Sequence, residues 1–379
     1  VGIPMSHSQQ LDIKMVESIL QSRSIENLDM KEISNLFLAE KSISNYRPES
    51  IFQIDPRNGE LIVYNSSRAT RPSSSLEEKL EIQKEKEHCH ICSGNTTGIM
   101  DITHMSEGFS FINKNMFPIF FPYETDSQNN FGTVSFGLHF LQWTSSFHNR
   151  DWHNISLKDA SIVLSRLAAL EKKLLLESGN IMPESVSSSI EKQTFGYVSI
   201  IKNYGKAAGG SLAHGHQQIV SSNIMPKQFF NNWIFQERHG APFSKFLLQE
   251  NPEELIVKDY GKAVLVVPYF MRRPFDMFLI LRDTSKSFLH ELDQEELDTV
   301  AMAWQEATRI ILLILKKLKK EEAYNIAVNN GPGAGLYIEF LPFTQLIGGY
   351  EKIGLWVCQE SPFKAAETLR SFIADLEPL

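Results

Sequence analysis

A chain of 379 residues with 42% apolar side chains can bury a substantial core, and its length fits two domains or one duplicated unit better than one small module. Its 45 acidic against 37 basic residues, a formal charge of −8, include no arginine-rich stripe, which argues against a nucleic-acid partner. The strongest apolar run, residues 310–315, is far too short to span a bilayer, so no membrane partner is expected. Three cysteines make a poor disulfide framework, and the first ten residues lack a basic start followed by an apolar core, so a cytoplasmic location is expected.

Residues 1–46 read as a separate helical extension with apolar positions at Met15, Ile19, Ile33, Leu36 and Leu38. Residues 51–55 and 60–64 form a hairpin, because Asn58-Gly59 supplies the positive φ of a tight turn. Arg68 and Arg71 follow, then a charged stretch at 77–87 that reads as a solvated helix or loop. Residues 136–143 read as a strand. Ser156 then opens a helix carrying Val163, Leu167, Leu170 and Leu174 on one face, and a strand at 195–201 runs into a glycine-rich segment at 203–210. The pattern repeats. A strand at 275–281 precedes a helix opened by Asp293 and carrying Leu297, Val300, Trp304, Ala307 and Ile311, and a strand at 324–328 enters a second glycine-rich segment at 329–335. Duplication predicts two similar α+β halves, 47–222 and 223–379, sharing a mostly antiparallel sheet.

The first half carries the chemistry. Ser211-x-x-His214-x-His216-x-Gln218 sets two imidazoles and an amide at alternate positions, so an extended strand directs all three to one face. Asn203 and the glycines up to Gly209 and Gly210 read as a cradle whose amides approach an anion, with Ser211 either capping the turn or donating to phosphate. At the corresponding place the second half has Tyr337 and Glu339. Cys89-x-x-Cys92 has zinc-knuckle spacing with two ligands still to be found, and His88 and His90 adjoin it; a redox pair is the rival reading.

Several motifs together resemble the galactose-1-phosphate uridylyltransferase family, a duplicated branch of the histidine-triad superfamily. They are Arg68-Ala-Thr-Arg71-Pro72, Cys89-His-Ile-Cys92 with Gly94-Asn95, Asn115-Met-Phe117-Pro118, and the segment from Asn203 to Gln218. Val266-Val-Pro-Tyr269, Pro274-Phe275 and Gly348-Gly-Tyr350-Glu351 continue the likeness through the second half. The resemblance implies an α+β fold of duplicated histidine-triad-like halves, forming a mostly antiparallel half-barrel with packed helices. It also implies a two-step transfer in which His216 attacks the α-phosphorus of a nucleotide sugar, with Gln218 steadying a non-bridging oxygen. Hydrolytic relatives generally carry a third histidine at the Gln218 position, so glutamine favours transfer over hydrolysis.

By the same resemblance, Arg68 and Arg71 contact nucleotide phosphate, Asn115 and Phe117 hold base and ribose, and Tyr350, Glu351 and Gln359 reach the sugar. For the arginines a solvated pair, and for Phe117 plain core packing, are the competing readings. Structural zinc would take His148 and His214 beside Cys89 and Cys92, while a second metal site is not carried over because Tyr337 and Glu339 replace its histidines. The C-terminal region is shorter than in the galactose enzymes and has Gln345 where a lysine is expected, which looks closer to ADP-sugar and dinucleotide phosphorylases. Partners are therefore a nucleotide sugar and a sugar phosphate or phosphate, and family members are often homodimers. The first expectation is UMP transfer to a hexose 1-phosphate. Its alternatives are adenylyl transfer to phosphate, and an idle zinc-stabilised nucleotide-binding protein.

Overall fold

The computed structural model describes residues 9–70, 89–123, 132–178 and 196–377. Arg71, His88 and the charged stretch at 77–87 lie outside them. In chain order come α1 (Ile13–Ile19), α2 (Met30–Leu38), β1 (Ile51–Ile54), β2 (Leu61–Val63), β3 (Ile99–His104), β4 (Phe109–Lys114), β5 (Thr133–Val134) and β6 (Gly137–Trp143). Then follow α3 (Leu157–Glu177), β7 (Tyr197–Tyr204), β8 (His216–Ser222), α4 (Lys227–His239), α5 (Phe243–Glu250), β9 (Ile256–Asp259), β10 (Ala263–Val266) and β11 (Met277–Leu281). The chain ends with α6 (Gln294–Lys317), β12 (Tyr324–Asn329), β13 (Tyr337–Pro342), α7 (Gly349–Lys352) and α8 (Pro362–Ala374).

Among the described residues, ten strands form one open sheet in the order β3-β4-β6-β8-β7-β12-β13-β11-β10-β9, and their ladders are antiparallel. This is the expected α+β architecture. Five strands from each part of the chain meet where β7 pairs with β12. The hairpin also forms, with Phe52 opposite Val63 and Gly59 at φ 72°, and β5 adds to its edge.

Strand alternation gives the sheet two different faces. Phe140, Ile219, Ile200, Val328, Ile338, Leu279 and Leu265 are paired in one row and are all buried in the main core. Helices α3 and α6 contribute to that core, with Ser156 and Asp293 capping them as their sequences imply. Trp152 stacks on Trp304 at 4.5 Å, so the Trp304 stripe is core. The opposite row runs Leu141, Gln218, Ile201, Ala327, Glu339, Phe278 and carries the polar chemistry.

The second N-terminal helix is not separate from this core. Ile25, Met30, Ile33 and Phe37 join it, and the Phe37 ring meets Phe140 edge-on at 5.1 Å, while Met15 from the expected stripe is exposed. The preceding segment braces Cys89 and His148, since Gln9 Oε1 accepts from Cys89 N at 3.2 Å and Gln9 O accepts from His148 N at 2.9 Å. No helix of the described residues is long and apolar enough to cross a membrane.

Candidate active site and metal centre

His216 opens β8 opposite Trp143 of β6, whose ring lies tilted 4.8 Å away. Its Nδ1–H donates to the His214 carbonyl at 2.8 Å, which leaves the Nε2 lone pair as the reactive one. The residue is 7% exposed, and burial is the main cause that pushes its pKa down to about 4. A neutral imidazole at pH 7 is the form a nucleophile requires.

The next residue on this face, Gln218, is oriented by His139, which sequence reasoning did not single out. Ile119 N–H donates to His139 Nδ1 at 3.1 Å, so Nε2 carries the proton and donates to Gln218 Oε1 at 3.2 Å. The Gln218 NH2 is thereby kept as the group that can donate to an oxygen. Asn115 Nδ2 touches the same His139 nitrogen at 3.1 Å, a contact between two donors in this tautomer, and Asn115 Oδ1 accepts from Phe117 N at 2.9 Å. Arg68 Nη1 donates to the Phe117 carbonyl at 2.7 Å, so Arg68, Asn115, Phe117 and Gln218 belong to one connected cluster.

Behind the strand lies a buried ion pair that was also missed. Lys202 Nζ approaches Asp151 Oδ2 at 2.7 Å and donates to the His216 carbonyl at 3.2 Å. Thr144 Oγ1 and Trp152 N also donate to Asp151, at 2.9 and 2.8 Å. Burial opposes the Asp151 carboxylate, yet the adjacent ammonium outweighs it and lowers its pKa. Gly215 is required here, because a Cβ would come within 2.5 Å of the Asp151 carboxyl carbon.

The ligand atoms of Cys89, Cys92, His148 and His214 lie within 4.8 Å of one another. His214 Nε2–H donates to Ser145 O at 2.7 Å, which turns Nδ1 toward Cys89 Sγ at 3.7 Å and Cys92 Sγ at 3.6 Å. A tetrahedral ion with ordinary Zn–S and Zn–N bonds gives sulfur-to-nitrogen edges of about 3.6 Å, so this donor set fits such a metal. Hydrogen bonding from Cys92, then from His148 and His214, holds Cys89 well below its ordinary thiol range despite burial. His90 is exposed, and the fourth member of the cluster is His148.

An ADP-glucose phosphorylase from Arabidopsis thaliana is 20% identical over 352 residues, covering 87% of this chain and 94% of that protein. A solved uridylyltransferase superposes with a TM-score of 0.63 at 18% identity, over 86% of this chain and 98% of that one. The chain is similar in fold to that uridylyltransferase. A galactose-1-phosphate uridylyltransferase from Thermotoga maritima is 28% identical over 106 residues, which is 26% of this chain and 32% of that protein. The crystal structure of the Arabidopsis thaliana ADP-glucose phosphorylase with bound ADP-glucose matches with a TM-score of 0.59 at 17% identity, over 84% of this chain and 98% of that one. No protein-family model matches the chain.

The remaining expected residues lie in the glycine segment before β8 and in the segment after β13. The glycine segment does fold with positive φ, 78° at Gly205 and 82° at Gly209. Its amides close the loop on itself, however: Gly209 N donates to Lys206 O at 2.8 Å and Gly210 N to Gly205 O at 2.9 Å. Those two donors are therefore not aimed at an anion. Asn203 Oδ1 accepts from Asn325 at 2.8 Å and helps tie β7 to β12. Ser211, between this loop and β8, is partly buried. Tyr350 is 64% exposed, and Glu351 accepts from Gly348 N at 2.9 Å and Val357 N at 3.3 Å, which closes its own turn. Gln359 is bound through its backbone N to Gln345. All three follow β13, three strands from β8 in the sheet order.

Proposed function

We propose that the protein is a covalent nucleotidyltransferase that moves a nucleoside monophosphate from a nucleotide sugar to a phosphate acceptor through His216. The observation that carries this reading is the His216 ring held by the His214 carbonyl, with the Gln218 amide two residues further along the same strand face. In the first step Nε2 attacks the α-phosphorus and the bond to the sugar 1-phosphate breaks. The leaving group is a phosphate monoester whose second pKa is about 6, so it departs without a strong acid. In the second step an acceptor phosphate oxygen attacks, the P–N bond breaks, and its electron pair returns to Nε2. Gln218 donates to the non-bridging oxygen in both steps, held by His139.

Arg68 and Arg71 are assigned to the nucleotide phosphates, and Asn115 and Phe117 to the base and ribose. Cys89, Cys92, His148 and His214 would hold a structural zinc, whose role is to fix the position of His214 and so the start of β8. The leading assignment is UMP transfer to a hexose 1-phosphate. Adenylyl transfer to phosphate is the second, supported by the likeness to ADP-glucose phosphorylase over nearly its full length. Following products from UDP-glucose and ADP-glucose, each with hexose 1-phosphate and with inorganic phosphate, separates the two. Binding without turnover of either donor would instead favour an idle nucleotide-binding protein.

A further inference from the structure

A cavity of about 470 Å³ opens over β7, β12, β13 and β11, on the polar face of the sheet, and is roofed by α4 and α5. None of the residues assigned to transfer at His216 lines it. Its floor residue Glu339 stands three strand spacings from Gln218 through Ile201 and Ala327, roughly 14 Å. The glycine-rich segment at 331–335 serves the roof: a Cβ on Gly333 would lie 2.2 Å from Asn232 O, so only glycine lets α4 approach.

Two buried side chains in this cavity keep unused polar atoms. Asn232, 3% exposed, accepts from Tyr337 OH at 3.0 Å through Oδ1, whereas its Nδ2 has no hydrogen-bond partner. Asp276, 4% exposed, accepts from Arg273 N at 3.1 Å through Oδ2, whereas Oδ1 has no hydrogen-bond partner and the Arg273 Nε lies 3.7 Å away. A donor and an acceptor left this way disfavour the fold unless a ligand completes them. The backbone is strained beside the cavity as well: Phe275 at φ 71° precedes Asp276 and Leu336 at φ 29° precedes Tyr337. Strain at two bulky residues, each next to a buried polar group, marks a place held for binding.

The lining indicates the ligand class. Hydroxyl groups donate and accept at one atom, which suits the mixed set of Asn232 amide, Asp276 and Glu339 carboxyls. Burial raises the pKa of both carboxyls, to about 7 for Asp276, so Asp276 can donate as well as accept. Phe270, Phe278 and Trp356 line it with apolar rings, which suit the C–H surface of a sugar. At the mouth, exposed Arg272 lies 5.3 Å over the Trp356 ring and offers a guanidinium to an anionic substituent.

We propose that this cavity is a second ligand site that binds a sugar phosphate, with its hydroxyls on Asn232, Asp276 and Glu339 and its phosphate on Arg272. The site shares no lining residue with those assigned to transfer, so its test uses a full-length His216→Ala protein that cannot turn over. Calorimetric titration with glucose 1-phosphate should show, besides binding at the transfer site, a second binding event that weakens about tenfold in Glu339→Gln and in Arg272→Ala, the loss expected for one charge-assisted hydrogen bond. Inorganic phosphate alone should bind far more weakly. Arg272 is at the surface, so its variant remains informative if the buried substitution impairs folding. Absence of that second event, affinities within about twofold across the variants, or phosphate binding as tightly as glucose 1-phosphate would overturn the proposal.

Discussion

Replacing Lys202 by methionine should destabilise the protein by about 3–5 kcal/mol, because it strands a buried carboxylate. An exposed ion pair would be worth about 0–1 kcal/mol, since water replaces a lost partner. Here Lys202 is 1% exposed and its Nζ lies 2.7 Å from Asp151, so water has no access to substitute. Thr144 and Trp152 would still donate to Asp151, but they do not offset its charge. The His216 carbonyl would also lose a donor at 3.2 Å, which loosens the strand that positions the nucleophile. Adding Asp151→Asn removes the stranded charge while keeping an acceptor for Thr144 and Trp152, so the double variant should recover more than half of the loss. Urea unfolding of the metal-loaded protein, followed by far-UV circular dichroism, measures both. A single variant that loses less than about 1 kcal/mol, or a double variant no more stable than the single, would refute the reasoning.

Substituting Cys89→Ser should abolish stable metal binding, read by elemental analysis, and lower the melting temperature; unchanged metal content would count against the four-residue set. Gln218→His should raise hydrolysis of the nucleotide sugar relative to exchange, measured by product analysis with and without an acceptor, and an unchanged ratio would remove the discriminating role of the amide. The hydrogen bond from Arg166 lowers the Glu26 pKa from 4.5 to about 2. A folded-state pKa below the unfolded one adds stability that is complete above about 4.5 and disappears as pH falls toward about 2. The pair is partly exposed, so its share is about 1 kcal/mol or less. Urea midpoints at pH 5 and pH 3 should therefore differ less in Arg166→Met than in the natural chain.

Local patterns carried much of the fold. The hairpin, the capped helices at Ser156 and Asp293, and the strand bearing His216 and Gln218 depend on neighbours within a few residues. His139 had no such signal, because it lies 79 residues from Gln218 and meets it only through the register of β6 against β8. Lys202 did leave a trace, a charge in line with the alternate apolar residues Val198 and Ile200, but its partner Asp151 is 51 residues away. The glycine segment shows the opposite limit. Positive φ at Gly205 and Gly209 follows from residue type, whereas the direction of their neighbours' amides depends on how the loop closes. The N-terminal helices misled because Phe37, rather than the exposed end of the apolar stripe, inserts beside Phe140.

Incubating metal-loaded protein with UDP-glucose or ADP-glucose labelled in the α-phosphate, without acceptor, tests the covalent role of His216 most directly. The expected result is acid-labile, base-stable label on His216 from one of the two donors, absent in His216→Ala and discharged by an acceptor phosphate. Folded protein that binds a donor yet acquires no label from either, or a His216→Ala variant labelled as well as the natural chain, would contradict it.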